Sequence, residues 1–263
     1  MRALIRFIDS TNMYRLMALY LAAILLAAFG LGLLGRLPED PADLALSLLG
    51  VVIVAEAANR MFARIWDVSA NRESTLITAL LIVALMPPAA PDDPWGLAAL
   101  GFAALWGVAS KYLLAWRGRH VFNPAALGVA LTGTLAGAQP TWWAGGSAVL
   151  VPVVALGGLA ILMKIRRSDV VVLAVLANVM TVWALRLEPD ALSAIRNTLL
   201  HTPILFLALT MLTEPLTRPH GRWQRWVFAI GTGVLAVPSV VVGCAAIHWS
   251  TLITLAPGST GTR

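Results

Sequence analysis

The chain has 263 residues, 59% of them hydrophobic and only 12% charged, and its mean hydropathy is +0.81. A soluble domain of ordinary composition carries roughly a quarter of its residues as Asp, Glu, Lys or Arg, so soluble enzyme folds are excluded and the sequence reads as a polytopic membrane protein. The single cysteine, Cys244, excludes an intramolecular disulfide and cysteine-ligated iron–sulfur or zinc centres, and the net charge of +6 is explained first by basic loops retained in the cytoplasm rather than by nucleic acid.

Apolar runs long enough to cross hydrocarbon at about 1.5 Å per residue predict ten helices, over 14–34, 43–61, 74–88, 94–115, 122–138, 143–163, 169–186, 197–213, 225–243 and 244–256. The first run is longer than a secretory h-region and lacks a small-residue cleavage site, so it reads as a retained helix. The expected fold is an all-α integral membrane bundle forming one domain, 1–263, with PGSTGTR (257–263) as a polar tail and no linker long enough to separate domains.

Alternate loops of such a bundle lie on opposite faces, and the cytoplasmic set holds the Lys and Arg. One set of loops carries 16 of the 19, among them Arg60, Arg64, Arg72, Lys111, Arg117, Arg119, Lys164, Arg166, Arg167, Arg218, Arg222 and Arg225. The other holds only Arg36, Arg186 and Arg196, together with Glu39, Asp40, Asp43, Asp92, Asp93, Glu188 and Asp190. The expected topology is therefore multi-pass in a bacterial cytoplasmic (inner) membrane, with both termini cytoplasmic. Ten helices allow two inverted halves, 1–139 and 140–263, in which the third span ends in MPPAAP (86–91) and the eighth in TEPLTRP (213–219), both stopped by proline.

Two constellations carry candidate chemistry, both on the cytoplasmic side of this topology. In KYLLAWRGRHVFNPAALG (111–128), Arg117 and Arg119 supply positive charge, and Asn123 before Pro124 sets an amide at a helix entrance, an arrangement suited to a planar polar ring or a phosphate. Spacing alone favours the other reading, a basic cytoplasmic loop with Asn123 as an ordinary N-cap and Pro124 at the first helical position. In LTMLTEPLTRPHGR (209–222), Glu214 follows a long apolar run, flanked by Thr213 and Thr217 and near Arg218. An ionisable group at that depth is a functional candidate, and a helix-end carboxylate neutralised by arginine is the alternative.

Glu56 reads as an ion pair with Arg60 four residues on, and Asn59, Asn178 and Thr181 as bridges between helices. His120, His201, His220 and His248 all fall near helix ends with no pair on one helix, which argues against haem. Most of the ten tryptophans stand at helix ends as an aromatic belt against lipid, and no P-loop, dinucleotide fingerprint, metalloprotease helix or nucleophile elbow occurs.

NMYRLMALYL (12–21), ESTLITALLIVALMPP (73–88), SKYLLAWRGRHVFNPAALG (110–128) and MLTEPLTRP (211–219) together resemble the NqrB/RnfD family. These are the membrane subunits B of the sodium-pumping NADH:quinone oxidoreductase and D of the Rnf electron-transport complex. The nearest likeness is to membrane modules that precede cytoplasmic FAD- and NAD(P)H-binding reductase domains in some bacterial proteins. The resemblance covers nearly the whole chain in order. It implies ten helices in two inverted five-helix halves with urea-transporter-like architecture, a flavin, and electron transfer to quinone or across the membrane, with ion translocation as a further coupling. It also makes Arg117, Arg119, Phe122, Asn123, Pro124, Thr213, Glu214 and Thr217 the cofactor-proximal set.

Glu214 stands where the family usually has the aspartate of TDPVT. Family members attach FMN covalently through the threonine of an SGAT motif, and the corresponding loop here is GTLAGAQPTWWAGGS (133–147), without SGAT. The expectation is thus noncovalent riboflavin or FMN near the inner face. With no reductase domain before Arg263, electrons are expected from a redox partner carrying FAD/NAD(P)H or Fe–S centres, or the chain is one module of a longer arrangement. A cofactor-free transporter or channel for a small solute, and a structural anchor for a redox partner, are the rival readings.

Overall fold

The computed structural model describes residues 2–116, 119–214 and 221–240. Described in order are α1 (Arg2–Ser10), α2 (Met13–Leu33), α3 (Pro41–Ile65), α4 (Arg72–Leu85), α5 (Pro94–Leu113), α6 (Pro124–Leu135), α7 (Trp143–Gly146), α8 (Val151–Ile165), α9 (Ser168–Ala184), α10 (Ala191–His201), α11 (Ile204–Phe206) and α12 (Arg222–Leu235). α11 runs on into a π-helical turn, Leu207–Met211, and a two-residue antiparallel ladder, β1 (Ala115–Trp116) with β2 (Arg119–His120), joins α5 to α6. Among the described residues the fold is all-helical apart from this ladder.

Three described helices, α2, α3 and α5, are long and apolar enough to cross a membrane, and the bent pair α10/α11 with its π turn makes a fourth candidate. α6, α8 and α9 are shorter apolar helices, and the expected tenth span, 244–256, lies outside the described residues. Large apolar side chains remain exposed in mid-helix, such as Leu26 and Leu156, each 71% exposed. In water such a surface would be an association liability; against acyl chains it costs nothing.

Sequence dictates the helix ends. Asn12, Asp40, Asn71, Asp93, Asn123 and Asp190 each accept a backbone N–H of the first turn, and proline opens α3, α5 and α6. α4 stops where Pro87 and Pro88 cannot continue it. Its last carbonyls are satisfied from a distant loop: the Thr141 and Trp142 amides donate to Leu85 O, and the Trp143 indole donates to Val83 O at 2.8 Å and Met86 O at 2.9 Å.

α4 is a central rod, buried from Thr78 to Met86 and packed on α2, α3, α5 and α6. The segment from α11 through Thr213 is packed on α8 and α9 and buried from Ala208 to Thr213. α3 lies along α5, and α9 along α12. Each of these pairs is bridged by an asparagine: the Tyr112 hydroxyl donates to Asn59 Oδ1 at 2.7 Å, and Asn178 Nδ2 donates to Gly233 O at 2.9 Å. Glycine allows close approach where α6 crosses α5 and where α12 crosses α9. A Cβ on Gly128 would stand 2.3 Å from Ala103 O, and one on Gly233 2.2 Å from Ala174 O.

Three features differ from the sequence expectation. α1 is an amphipathic helix preceding the first span, anchored by buried Ile8 and by Lys164 Nζ, which donates to Asp9 O at 2.7 Å. The run expected at 143–163 is broken, because α7 turns at Gly145–Gly146 before α8 begins at Val151. The run expected at 197–213 starts earlier, at Ala191, and bends by 66° at Thr202–Pro203, where proline has no N–H to continue the ladder.

Candidate functional site

At one end of the bundle, the starts of α2, α4 and α6 meet the end of the π-helical segment. Asn123 is the N-cap of α6: its Oδ1 accepts the Ala126 amide at 3.0 Å, and Pro124 follows at the first helical position. The other half of the same amide does different work. Asn123 Nδ2 donates to Glu214 Oε2 at 2.7 Å, a charge-assisted bond joining the two constellations. The ordinary N-cap and the polar contact are thus both present in one side chain. The carboxylate also sits by the N-terminus of α6, whose partial positive charge favours it.

Lys111, in the last turn of α5, donates from Nζ to Ser74 O at 2.9 Å and Ser74 Oγ at 3.1 Å, and the Glu214 carboxylate acts electrostatically on it. Tyr14 also lies within the field of Glu214. Beside these groups Asn12 Nδ2 donates to Glu73 Oε2 at 3.3 Å. A small cavity of about 30 Å³ lies among Met13, Tyr14, Met17, Ser74, Ile77, Thr78, Leu81, Asn123, Pro124, Thr210 and Glu214.

Of the residues nominated from sequence, Asn123, Pro124 and Glu214 are brought together here. Thr213 is buried nearby with its hydroxyl spent on its own helix, donating to Leu209 O at 2.9 Å and Thr210 O at 3.2 Å. Phe122 is 53% exposed and does not line the cavity. Arg117 and Thr217 lie outside the described residues; Arg119 is placed by its backbone in β2, and its side chain lies outside the description. Tyr14, Ser74, Thr78 and Thr210 were not nominated. The hydroxyls in STLIT, spaced to share one face of α4, were the available signal for Ser74 and Thr78.

The other predicted pairings are present. Arg60 Nε lies 2.9 Å from Glu56 Oε1, with Arg72 Nε at 3.5 Å from the same oxygen, and both asparagines bridge helices. Thr181 does not bridge: its hydroxyl donates to Ala177 O within α9. Trp143 is buried as a cap for α4 rather than standing in an interfacial belt.

A flavin ring needs far more room than the space beside Glu214, since pockets for molecules of that size hold roughly 300 Å³ or more. That space admits about one water, and one of the two Asn123 Nδ2 hydrogens is already committed to Glu214. The described residues therefore do not by themselves fit a flavin at this point. No protein-family model and no curated protein matches the chain.

Proposed function

We propose that this chain is the membrane component of a redox system of the NqrB/RnfD kind, passing electrons from a partner with FAD/NAD(P)H or Fe–S centres to quinone or across the membrane. The observation that carries the reading is convergence. Tyr14, Ser74, Lys111, Asn123 and Glu214 come from the separate segments on which the resemblance rests, and they gather at one end of the bundle. Segments scattered from residue 12 to residue 219 have reason to share a pattern when they build one site.

In this reading the bundle has ten spans in two inverted halves, supported by the matching of α4 with the α11–π segment and of the α3–α5 pair with the α9–α12 pair. The end bearing Lys111, Asn123 and Glu214 faces the cytoplasm, because the arginine-rich loops share it, and both termini lie on that side of a bacterial inner membrane. The noncovalent riboflavin or FMN implied by the resemblance belongs to the same proposal. Because the space beside Glu214 does not hold it, no electron-transfer step is assigned to these residues. What they do is hold a carboxylate, an ammonium and an amide in fixed register at the membrane edge, where a partner's charge can be met. Flavin retention by the purified protein, and its reducibility, test the reading.

A second reading, a cofactor-free transporter or channel for a small solute, is favoured by the 66° break at Thr202–Pro203, since discontinuous spans place backbone groups beside transport pathways. Solute flux in liposomes without bound flavin would select it.

A further inference from the structure

At the end of the bundle away from Glu214, a cavity of about 780 Å³ lies between α9, α10, the break at Thr202–Pro203 and the end of α12. That volume is in the range of sites for ring-sized molecules, and the greater part of its wall is apolar, from side chains such as Val182, Ile204 and Leu235. Two buried polar side chains in this wall have hydrogen-bonding capacity to spare. Thr198 is 1% exposed, and among the described residues its hydroxyl has no partner. Asn178 is 3% exposed and donates its Nδ2 to Gly233 O, which leaves its carbonyl oxygen as an acceptor. A buried polar group without a partner is a cost that a ligand removes.

The charge of the wall selects among ligands. Glu188 is the one carboxylate and His201 the one imidazole in the described wall, Glu188 Oε1 accepting from Asn197 Nδ2 at 2.8 Å, and neither Lys nor Arg lines the cavity. An anion entering this largely apolar space would face the Glu188 carboxylate with no Lys or Arg and only the His201 imidazole to offset it, so phosphorylated and carboxylated molecules are disfavoured. The Asn178 carbonyl and the Glu188 carboxylate accept hydrogen bonds, and the Thr198 hydroxyl both donates and accepts. Apolar walls suit a flat ring.

We propose that this cavity is a binding site for an uncharged aromatic molecule bearing O–H or N–H donors. The site is independent of the redox reading, since binding requires neither electron transfer nor flux. Naphthol is the probe, with its methyl ether as the same ring without the donor and naphthalenesulfonate as the same ring with a negative charge. Binding to the full chain in nanodiscs is measured by calorimetry against empty nanodiscs. Naphthol is expected to bind at one site about tenfold more tightly than either analogue, and Thr198→Val and Asn178→Leu each to weaken it about tenfold while leaving the ether unchanged. Thr198→Val is isosteric and leaves the Asn178–Gly233 bridge in place, so it carries the test if Asn178→Leu does not fold. No saturable binding, equal binding of naphthol and its ether, or naphthol binding unchanged in Thr198→Val overturns the proposal, whether or not the protein retains flavin.

Discussion

Asn123 donates to Glu214 across 2.7 Å, tying together residues 91 positions apart in the chain, while the same side chain caps α6 through its other atom. One amide thus sets both the start of a helix and the place of a carboxylate. Asn123→Ala removes both bonds, whereas Asn123→Asp keeps the cap and sets a second carboxylate against Glu214. The ordering expected for thermal stability in detergent is wild type, then Asn123→Ala, then Asn123→Asp. In a double-mutant cycle of Asn123→Ala with Glu214→Ala, the coupling between the two side chains should be about 1.5–3 kcal/mol, as for hydrogen bonds to charged groups. Additivity would show that the pair contributes nothing.

Lys111, bonded to Ser74, lies within the electrostatic reach of Glu214 in the same site. Lys111→Met strips Ser74 of its donor and leaves the Glu214 carboxylate without the ammonium, at an expected cost of about 2 kcal/mol. The cost should shrink when Glu214→Gln is present, because no carboxylate then needs neutralising. Equal costs in the two backgrounds, read from unfolding midpoints, would mean that Lys111 serves Ser74 alone.

Much of this site was legible beforehand, because Asn-Pro and Glu-Pro at the ends of apolar runs mark helix boundaries by local chemistry, and the charge asymmetry put both boundaries at one face. What was not legible depends on tertiary partners. Nothing near Trp143 in sequence shows that its indole closes α4, 57 residues earlier, at Met86. The hydropathy that reveals a span averages over the break at Thr202–Pro203, although the proline itself was the signal. α1 escaped because it is amphipathic rather than apolar, and its buried face is completed by α8.

Two glycines in α12 give a matched comparison. A Cβ on Gly233 would meet Ala174 O at 2.2 Å, whereas one on Gly231 has nothing within 4 Å. Gly233→Ala should force α12 from α9 and cost roughly 1–3 kcal/mol or more. Gly231→Ala should be neutral or stabilising by up to about 1 kcal/mol through helix propensity. Thermal melts of the two variants decide this, and equal effects would contradict the close packing.

Asp190 gives a pH dependence at the start of α10. The Ser193 amide and hydroxyl both donate to its carboxylate and hold its pKa below the ordinary aspartate value. A depressed folded pKa means that the cap's contribution is complete above the unfolded value of about 3.9 and is lost as pH falls through the lower folded value. Amide exchange at Ser193 should therefore lose its protection, relative to mid-helix amides of α10, only below about pH 4. Asp190→Asn should remove most of that dependence while keeping the cap.

The claim that this is a redox component meets its most direct test in one absorption spectrum. The protein is purified in mild detergent, incubated with riboflavin and with FMN, freed of excess ligand and then denatured. The account predicts a flavin spectrum that bleaches on reduction and leaves the polypeptide on denaturation, because the loop at 133–147 has no SGAT threonine to hold it covalently. A protein that stays colourless after both incubations would contradict it and move the work to solute flux.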